Sequence, residues 1–110
     1  SQCVVSELES FGISPQYLGF IYLKECILMA LYSKGHPILQ EDIYPKVAST
    51  YHTNVKNIEK NINRTLQKVN QEHPEAFEID AFKGKKVTGR TFMTHVVQMV
   101  DSYLKGNKRI

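Results

Sequence analysis

Five apolar residues, Val55, Ile58, Ile62, Leu66 and Val69, follow one another in steps of 3, 4, 4 and 3, the spacing that lines one side of an α-helix. Such a stripe has to be buried, so the rest of the chain must supply a matching apolar surface. The helix is expected to start at a cap provided by Thr53 or Asn54 and to run to Glu72, because His73-Pro74 stops it. Just ahead of it, Val47, Ala48 and Tyr51 mark a shorter helix that ends near His52. Pro45 stands at its start, where the missing N–H has no helical partner to lose. A short helix, a tight turn and a longer helix form the helix-turn-helix order. Residues 45–51 are the expected support, 52–54 the turn, and 55 onward the recognition helix.

The other elements follow from punctuation and spacing. Residues 4–10 read as a first helix stopped by Gly12, which suits a left-handed cap. Ser14-Pro15 reads as an N-cap and first helical residue, opening a helix that Gly35 closes and whose apolar side carries Leu18, Ile21, Tyr22, Leu28, Met29 and Tyr32. His36-Pro37 opens a turn, and residues 39–43 form a short helical one. Residues 75–82 read as a helical piece and residues 83–90 as a basic loop. A final helix over 91–104 buries Phe92, Val96, Met99, Val100 and Tyr103, with Gly106 as its cap. The expected fold is all-α: one domain over residues 1–110, a compact bundle of about six helices containing a helix-turn-helix. Alternation over residues 77–87 leaves open a small β-hairpin, which would make the fold a winged helix.

Several function classes are set aside by what is missing. At 110 residues the chain can bury a core without disulfide or metal staples. Its longest apolar-rich stretch, residues 17–32, is broken by Lys24 and Glu25, so a buried helix is expected and not a membrane span. The start, SQCVVSELES, lacks the features of a secretory signal. Cys3 and Cys26 have no CxxC spacing, consistent with a reduced, cytoplasmic protein. His36, His52, His73 and His95 are scattered, and Gly84 and Gly89 are not spaced as a phosphate loop. Neither an enzyme nor a metal or cofactor is expected.

Charge points to a partner. Residues 1–45 carry −3, from Lys24 and Lys34 against Glu7, Glu9, Glu25, Glu41 and Asp42, whereas residues 46–110 carry +6. An acidic half joined to a basic half suits a face that approaches a polyanion. On the recognition helix, the side opposite the apolar stripe holds Lys56, Asn57, Lys60, Arg64, Gln67 and Lys68, with Asn61 and Asn63 on its flanks and one acid, Glu59, near the stripe. Cations and amides are the groups that bond guanine and adenine edges or neutralise phosphates. Lys56, Asn57, Lys60, Asn63 and Arg64, in the N-terminal half, are the candidates for base edges; Gln67 and Lys68 are better placed for the backbone. Thr53 with the first amides of the helix suits a phosphate. Lys83, Lys85, Lys86 and Arg90 form a second basic cluster for gripping DNA backbone. The competing class is a helical protein-interaction module that binds an acidic partner, which should expose a contiguous apolar patch.

Three stretches together resemble the C-terminal effector domain of the stage 0 sporulation protein A family of response regulators. GISPQYLGFIYLKECI (residues 12–27) is similar to the family's helix with the pattern glycine, aromatic, any residue, tyrosine, leucine, basic, glutamate, IYPKVASTYHT (43–53) to its supporting helix, and VKNIEKNINRTL (55–66) to its recognition helix. KKVTGRTFMTHV (85–96) is a weaker echo of the entry to its last helix. The resemblance implies a helical bundle around a helix-turn-helix that binds double-stranded promoter DNA, with paired copies on tandem sites. It places the family's glutamate-basic pair at Glu59 and Lys60. Lys56 stands where many members have serine, Asn57 where they have arginine, and Asn63, beside Arg64, at a second arginine position. Residues 71–86 are shorter than in the family and lack its tryptophan-containing helix end. The family usually carries an N-terminal receiver domain, for which this chain has no counterpart; it is expected to be an isolated effector domain or a stand-alone relative.

Overall fold

The structure, a computed structural model, describes residues 2–33 and 39–108. Among them are five α-helices: α1 (Gln2–Ser10), α2 (Leu18–Tyr32), α3 (Tyr44–Thr50), α4 (Val55–Glu72) and α5 (Gly89–Lys108). A π-helical turn (Leu39–Ile43) leads into α3, and two 3-10 turns (Pro74–Phe77 and Asp80–Phe82) connect α4 to α5. The fold is an all-α bundle with no strand among the described residues; five α-helices make the expected six a slight overcount. The turn expected at His36-Pro37 and the closing Gly35 lie outside the described residues.

The stripe on α4 does what its spacing requires. Ile58, Ile62, Leu66 and Val69 are fully buried, and Val55 is half-buried at the first turn. Each buried aliphatic side chain contributes about 1.5–3 kcal/mol, so α4 is held mainly by the packing of this stripe, as helices in folded proteins generally are. Its start is set by Asn54, whose Oδ1 accepts from the Asn57 N–H at 2.8 Å; of the two expected caps, Asn54 is the one used.

Left-handed residues stop two helices. The Ile13 N–H donates to Leu8 O at 3.0 Å and the Gly12 N–H to Glu9 O at 2.9 Å, the paired bonds of a Schellman motif, with Gly12 at φ +85°. The same pair closes α3: the Thr53 N–H donates to Ala48 O at 2.8 Å and the His52 N–H to Ser49 O at 3.3 Å. Here the left-handed residue is His52, at φ 54°. A residue with a Cβ loses about 1–2 kcal/mol in that region, part of which glycine's greater unfolded-state freedom would offset. His52→Gly is expected to raise stability by about 0.5–1 kcal/mol, or roughly 2–4 °C in Tm. A melting curve that stays put or moves down would show that His52 carries no strain.

Helix α2 corrects the expected phase and start. Its buried residues are Gly19, Phe20, Leu23, Cys26 and Ile27, whereas Leu18, Ile21 and Tyr32 are exposed and Tyr22, Leu28 and Met29 only partly covered. The helix is apolar nearly all round, so spacing alone does not choose a side. Gly19 does: its backbone packs onto α4, and its N–H donates to Thr65 Oγ1 at 3.0 Å. Ser14 and Pro15 do not open α2. They form a separate turn, closed by the Tyr17 N–H donating to Ser14 O at 3.1 Å, and the helix begins after Tyr17.

The segment between α4 and α5 is not a hairpin. Phe77 and Phe82, five residues apart, would point to opposite faces of a strand. The two 3-10 turns instead bring both into one cluster, Phe77 at 5.2 Å from Phe11 and Phe82 stacked at 6.3 Å on Phe92. Helix α5 starts two residues early, because Thr88 caps it with its hydroxyl toward the Thr91 N–H at 3.3 Å; Gly89 and Arg90 therefore belong to the helix. At its other end α5 passes through Gly106 to Lys108, so Gly106 is not its cap. Met99 and Tyr103 are largely exposed, and Met93 takes a core place beside Phe92, Val96 and Val100.

Candidate nucleic-acid interface

The helix-turn-helix comprises α3, the turn at residues 51–54 and α4. Tyr44, Val47 and Ala48 of α3 are buried; Ala48, the expected point of close approach, is 4 % exposed and its carbonyl accepts from Thr53 in the turn. These contacts set the angle at which α4 projects its polar side.

On that side Lys56, Lys60, Arg64, Gln67 and Lys68 are exposed, whereas Asn57, Glu59 and Asn63 are half-buried. The four cations stand four residues apart. Each step carries the next one about 40° round the helix, so the ladder winds from one flank at Lys56 across the outward side at Lys60 and Arg64 to the α2 flank at Lys68. Neither of the ion pairs His73–Glu75 and Lys105–Asp101 involves these side chains. The single acid on this part of the helix is drawn sideways: Glu59 Oε2 accepts from Gln40 Nε2 at 3.1 Å, on the π-helical turn before α3. Asn57 Oδ1 accepts from Asn61 Nδ2 at 3.1 Å, and the same amide donates to Asn57 O at 2.9 Å. Asn57 is thus steadied from within the helix.

Two amides at the start of the recognition helix already have partners within the chain. The Thr53 N–H is taken by Ala48 O and the Asn57 N–H by the Asn54 side chain. Thr53 itself is half-buried.

The second basic cluster is divided between two elements. Lys83, Lys85 and Lys86 are exposed on the connection before α5, where the Lys85 N–H donates to Phe82 O at 3.0 Å, and Arg90 is exposed on the first turn of the helix. Gly89 joins that turn to the helix-turn-helix, since a Cβ there would stand 2.9 Å from Tyr44 Oη and 3.2 Å from Ile62 Cγ2. Burial pushes the Tyr44 hydroxyl well above the ordinary phenol range; Cys26 and Glu59 act in the same direction, and the Arg90 charge partly opposes them. Arg90 follows Gly89 on the turn of α5 that packs against Tyr44 and Ile62.

Sequence reasoning missed the α2 side. Gln16, Tyr17 and Leu18 face Asn61, Arg64 and Lys68 across a concavity of about 240 Å³. Lys68 Nζ lies 5.6 Å from the centre of the Tyr17 ring, and the Tyr17 hydroxyl donates to Glu72 Oε2 at 3.3 Å. Nothing in the spacing of residues 16–18 relates them to residues 61–68; the crossing at Gly19 does.

Among the described residues no group of His, Cys, Asp and Glu is placed to hold a metal ion, and no helix is long and apolar enough to cross a membrane. No curated protein and no solved structure matches the chain. The family model for the C terminal of the sporulation initiation factor Spo0A matches residues 4–104, from α1 into the last turns of α5. With that match over a helix-turn-helix bundle, the chain belongs to the Spo0A C-terminal family, DNA-binding effector domains of the sporulation type.

Proposed function

We propose that this domain binds promoter DNA sequence-specifically, with α4 lying in the major groove and regulating transcription. The observation that carries this reading is the ladder Lys56, Lys60, Arg64 and Lys68 on a helix whose nearest acid, Glu59, is held aside by Gln40. A helix that is merely solvated gains from alternating Glu with Lys; this one presents cations and amides. Lys56, Lys60 and Asn63 lie in the N-terminal half, which approaches base edges in helix-turn-helix proteins. Asn57, braced by Asn61, would offer an oriented amide beside them. Thr53, Gln67, Lys68, Lys83, Lys85, Lys86 and Arg90 are assigned to backbone.

Residues 1–110 are taken as one domain, supported by a core that runs from α1 to α5. The family adds the expectation of paired copies on tandem sites and of a receiver domain as partner in the cytoplasm. The interaction-module alternative has in its favour, among the described residues, the exposed Leu18, Ile21 and Tyr32 on α2, and Met99 and Tyr103 at a hollow between α1 and α5; the family match argues against it.

The test is fluorescence anisotropy with a labelled duplex carrying the family's box and a scrambled duplex, across a salt series. Preference for the box is expected, and Lys60→Ala should reduce that preference by about 1–3 kcal/mol, the usual cost of losing one base contact. Equal binding of both duplexes would remove sequence-specific readout. No binding at low salt would remove DNA altogether.

A further inference from the structure

The concavity between the start of α2 and the C-terminal half of α4 has a chemistry of its own. Its polar lining is Gln16, Tyr17, Asn61, Arg64, Thr65 and Lys68, without a carboxylate, and Leu18 forms an apolar wall that is 78 % exposed. Three contacts hold its geometry. The Gly19 N–H bond to Thr65 Oγ1 ties α2 to α4 one turn from Asn61. The Tyr17 ring holds the Lys68 ammonium at 5.6 Å, within cation–π range. The nearby Glu72 carboxylate is engaged by the Tyr17 hydroxyl at 3.3 Å, outside the lining.

Two cations converging on a shallow, amide-lined hollow suit a singly charged phosphodiester: Arg offers a planar fork and Lys a point charge. The hollow is open, as a site for a polymer backbone must be. The winding of the cation ladder carries Lys68 about 80° round the helix from Lys60 and about 120° from Lys56, onto the flank that faces α2.

Resting on the DNA-binding reading above, we propose that Gln16, Tyr17, Asn61, Arg64 and Lys68 form a single phosphodiester-binding niche. It grips one phosphate of the DNA backbone beside the bases approached by Lys56 and Lys60. This moves Arg64 from base edge to backbone and brings α2 into the interface. Leu18 lies at the rim, where a neighbouring deoxyribose would cover it.

The experiment uses the full chain and its Arg64→Gln, Lys68→Gln and double variants, all at exposed positions, with unchanged circular dichroism as the check on folding. Affinity for box and scrambled duplexes is measured over a salt series, and each phosphate near the box is replaced in turn by an uncharged methylphosphonate. Each single variant should weaken both duplexes by the same factor, roughly tenfold. The slope of log affinity against log salt should fall by about 0.9 in the double variant, one phosphate's worth, not twice that. One methylphosphonate position should weaken the wild type and leave the double variant unaffected.

A selective loss of box preference in Arg64→Gln would return that residue to the bases and overturn the niche. So would a double-variant slope loss near 1.8, which means two separate phosphates, or the absence of any such methylphosphonate position. Saturable amide shifts at Tyr17, Leu18 and Asn61 with inorganic phosphate, without a sensitive methylphosphonate, would make it a free-anion site and overturn the DNA assignment. If the wild type binds neither duplex at low salt, the DNA reading itself has failed and the niche falls with it. If the wild type binds and the variants match it, only the niche has failed.

Discussion

Phe92→Ala is expected to destabilise the domain by about 3–5 kcal/mol, the range for emptying a large aromatic site in a core that only partly collapses. Phe92 is fully buried and stands at the centre of a ring cluster. Phe11 meets it edge-on at 5.0 Å, Phe82 stacks at 6.3 Å and Phe77 lies at 6.2 Å. His95, one turn on, packs edge-on to Phe82 at 5.3 Å. Through this side chain, with His95 beside it, α5 is joined to the end of α1 and to both 3-10 turns, so its removal loosens the connection that positions Lys83, Lys85 and Lys86. Urea unfolding would measure the change, and at this chain length the Tm should fall by roughly 4 °C per kcal/mol. A loss below about 1.5 kcal/mol would mean that the neighbouring rings close over the gap and that the cluster is not the rigid joint described here.

Gly19→Ala is the second large effect, and its sign is the informative part. In an ordinary helix position this replacement stabilises by up to about 1 kcal/mol. At Gly19 the added Cβ would stand 2.8 Å from Asn61 O and 2.8 Å from Thr65 Cβ, and closer still to Thr65 Oγ1. A side chain can rotate away, but a helical carbonyl cannot. Helix α2 must therefore shift off α4, weakening the bond between the Gly19 N–H and Thr65 Oγ1. A loss of about 2–3 kcal/mol is expected, with a larger one for Gly19→Val. Combining Gly19→Ala with Thr65→Ala should recover only part of it, since Asn61 O remains, so the two changes should not add. A neutral or stabilising Gly19→Ala would show that the helices cross farther apart than the hydrogen bond requires. Because the same crossing forms the hollow lined by Tyr17, Arg64 and Lys68, backbone contacts to DNA should weaken along with the fold.

How far the sequence carried the reading depends on how many jobs each segment has. Helix α4 has one apolar side and one polar side, so its phase followed from five residues, and burial of Ile58, Ile62, Leu66 and Val69 agrees. The ends of α1 and α3 were marked by residues that act locally, Gly12 and the step from His52 to Asn54. Helix α2 is apolar on both sides, and Leu18, Ile21 and Tyr32 took the core places on paper that Phe20, Leu23 and Ile27 hold in the structure. The wing left open over residues 77–87 is replaced by turns because Phe77 and Phe82 share one aromatic cluster, a contact with Phe11 and Phe92 that no local pattern announces.

By itself, then, the chain's order of residues determined the class of fold, the helix-turn-helix, the core side of α4 and the candidate polar face, because these depend on periodicity and capping within a few turns. Tertiary structure alone decided which side of α2 is buried and that Glu59 turns to Gln40. It also brought Gln16 and Tyr17 alongside Arg64 and Lys68, and Gly89 against Tyr44 and Ile62. Those outcomes depend on where two backbones can approach closely. Gly19 and Gly89 permit that approach by lacking a side chain, and an absent side chain leaves no periodic signal until its partner is in place.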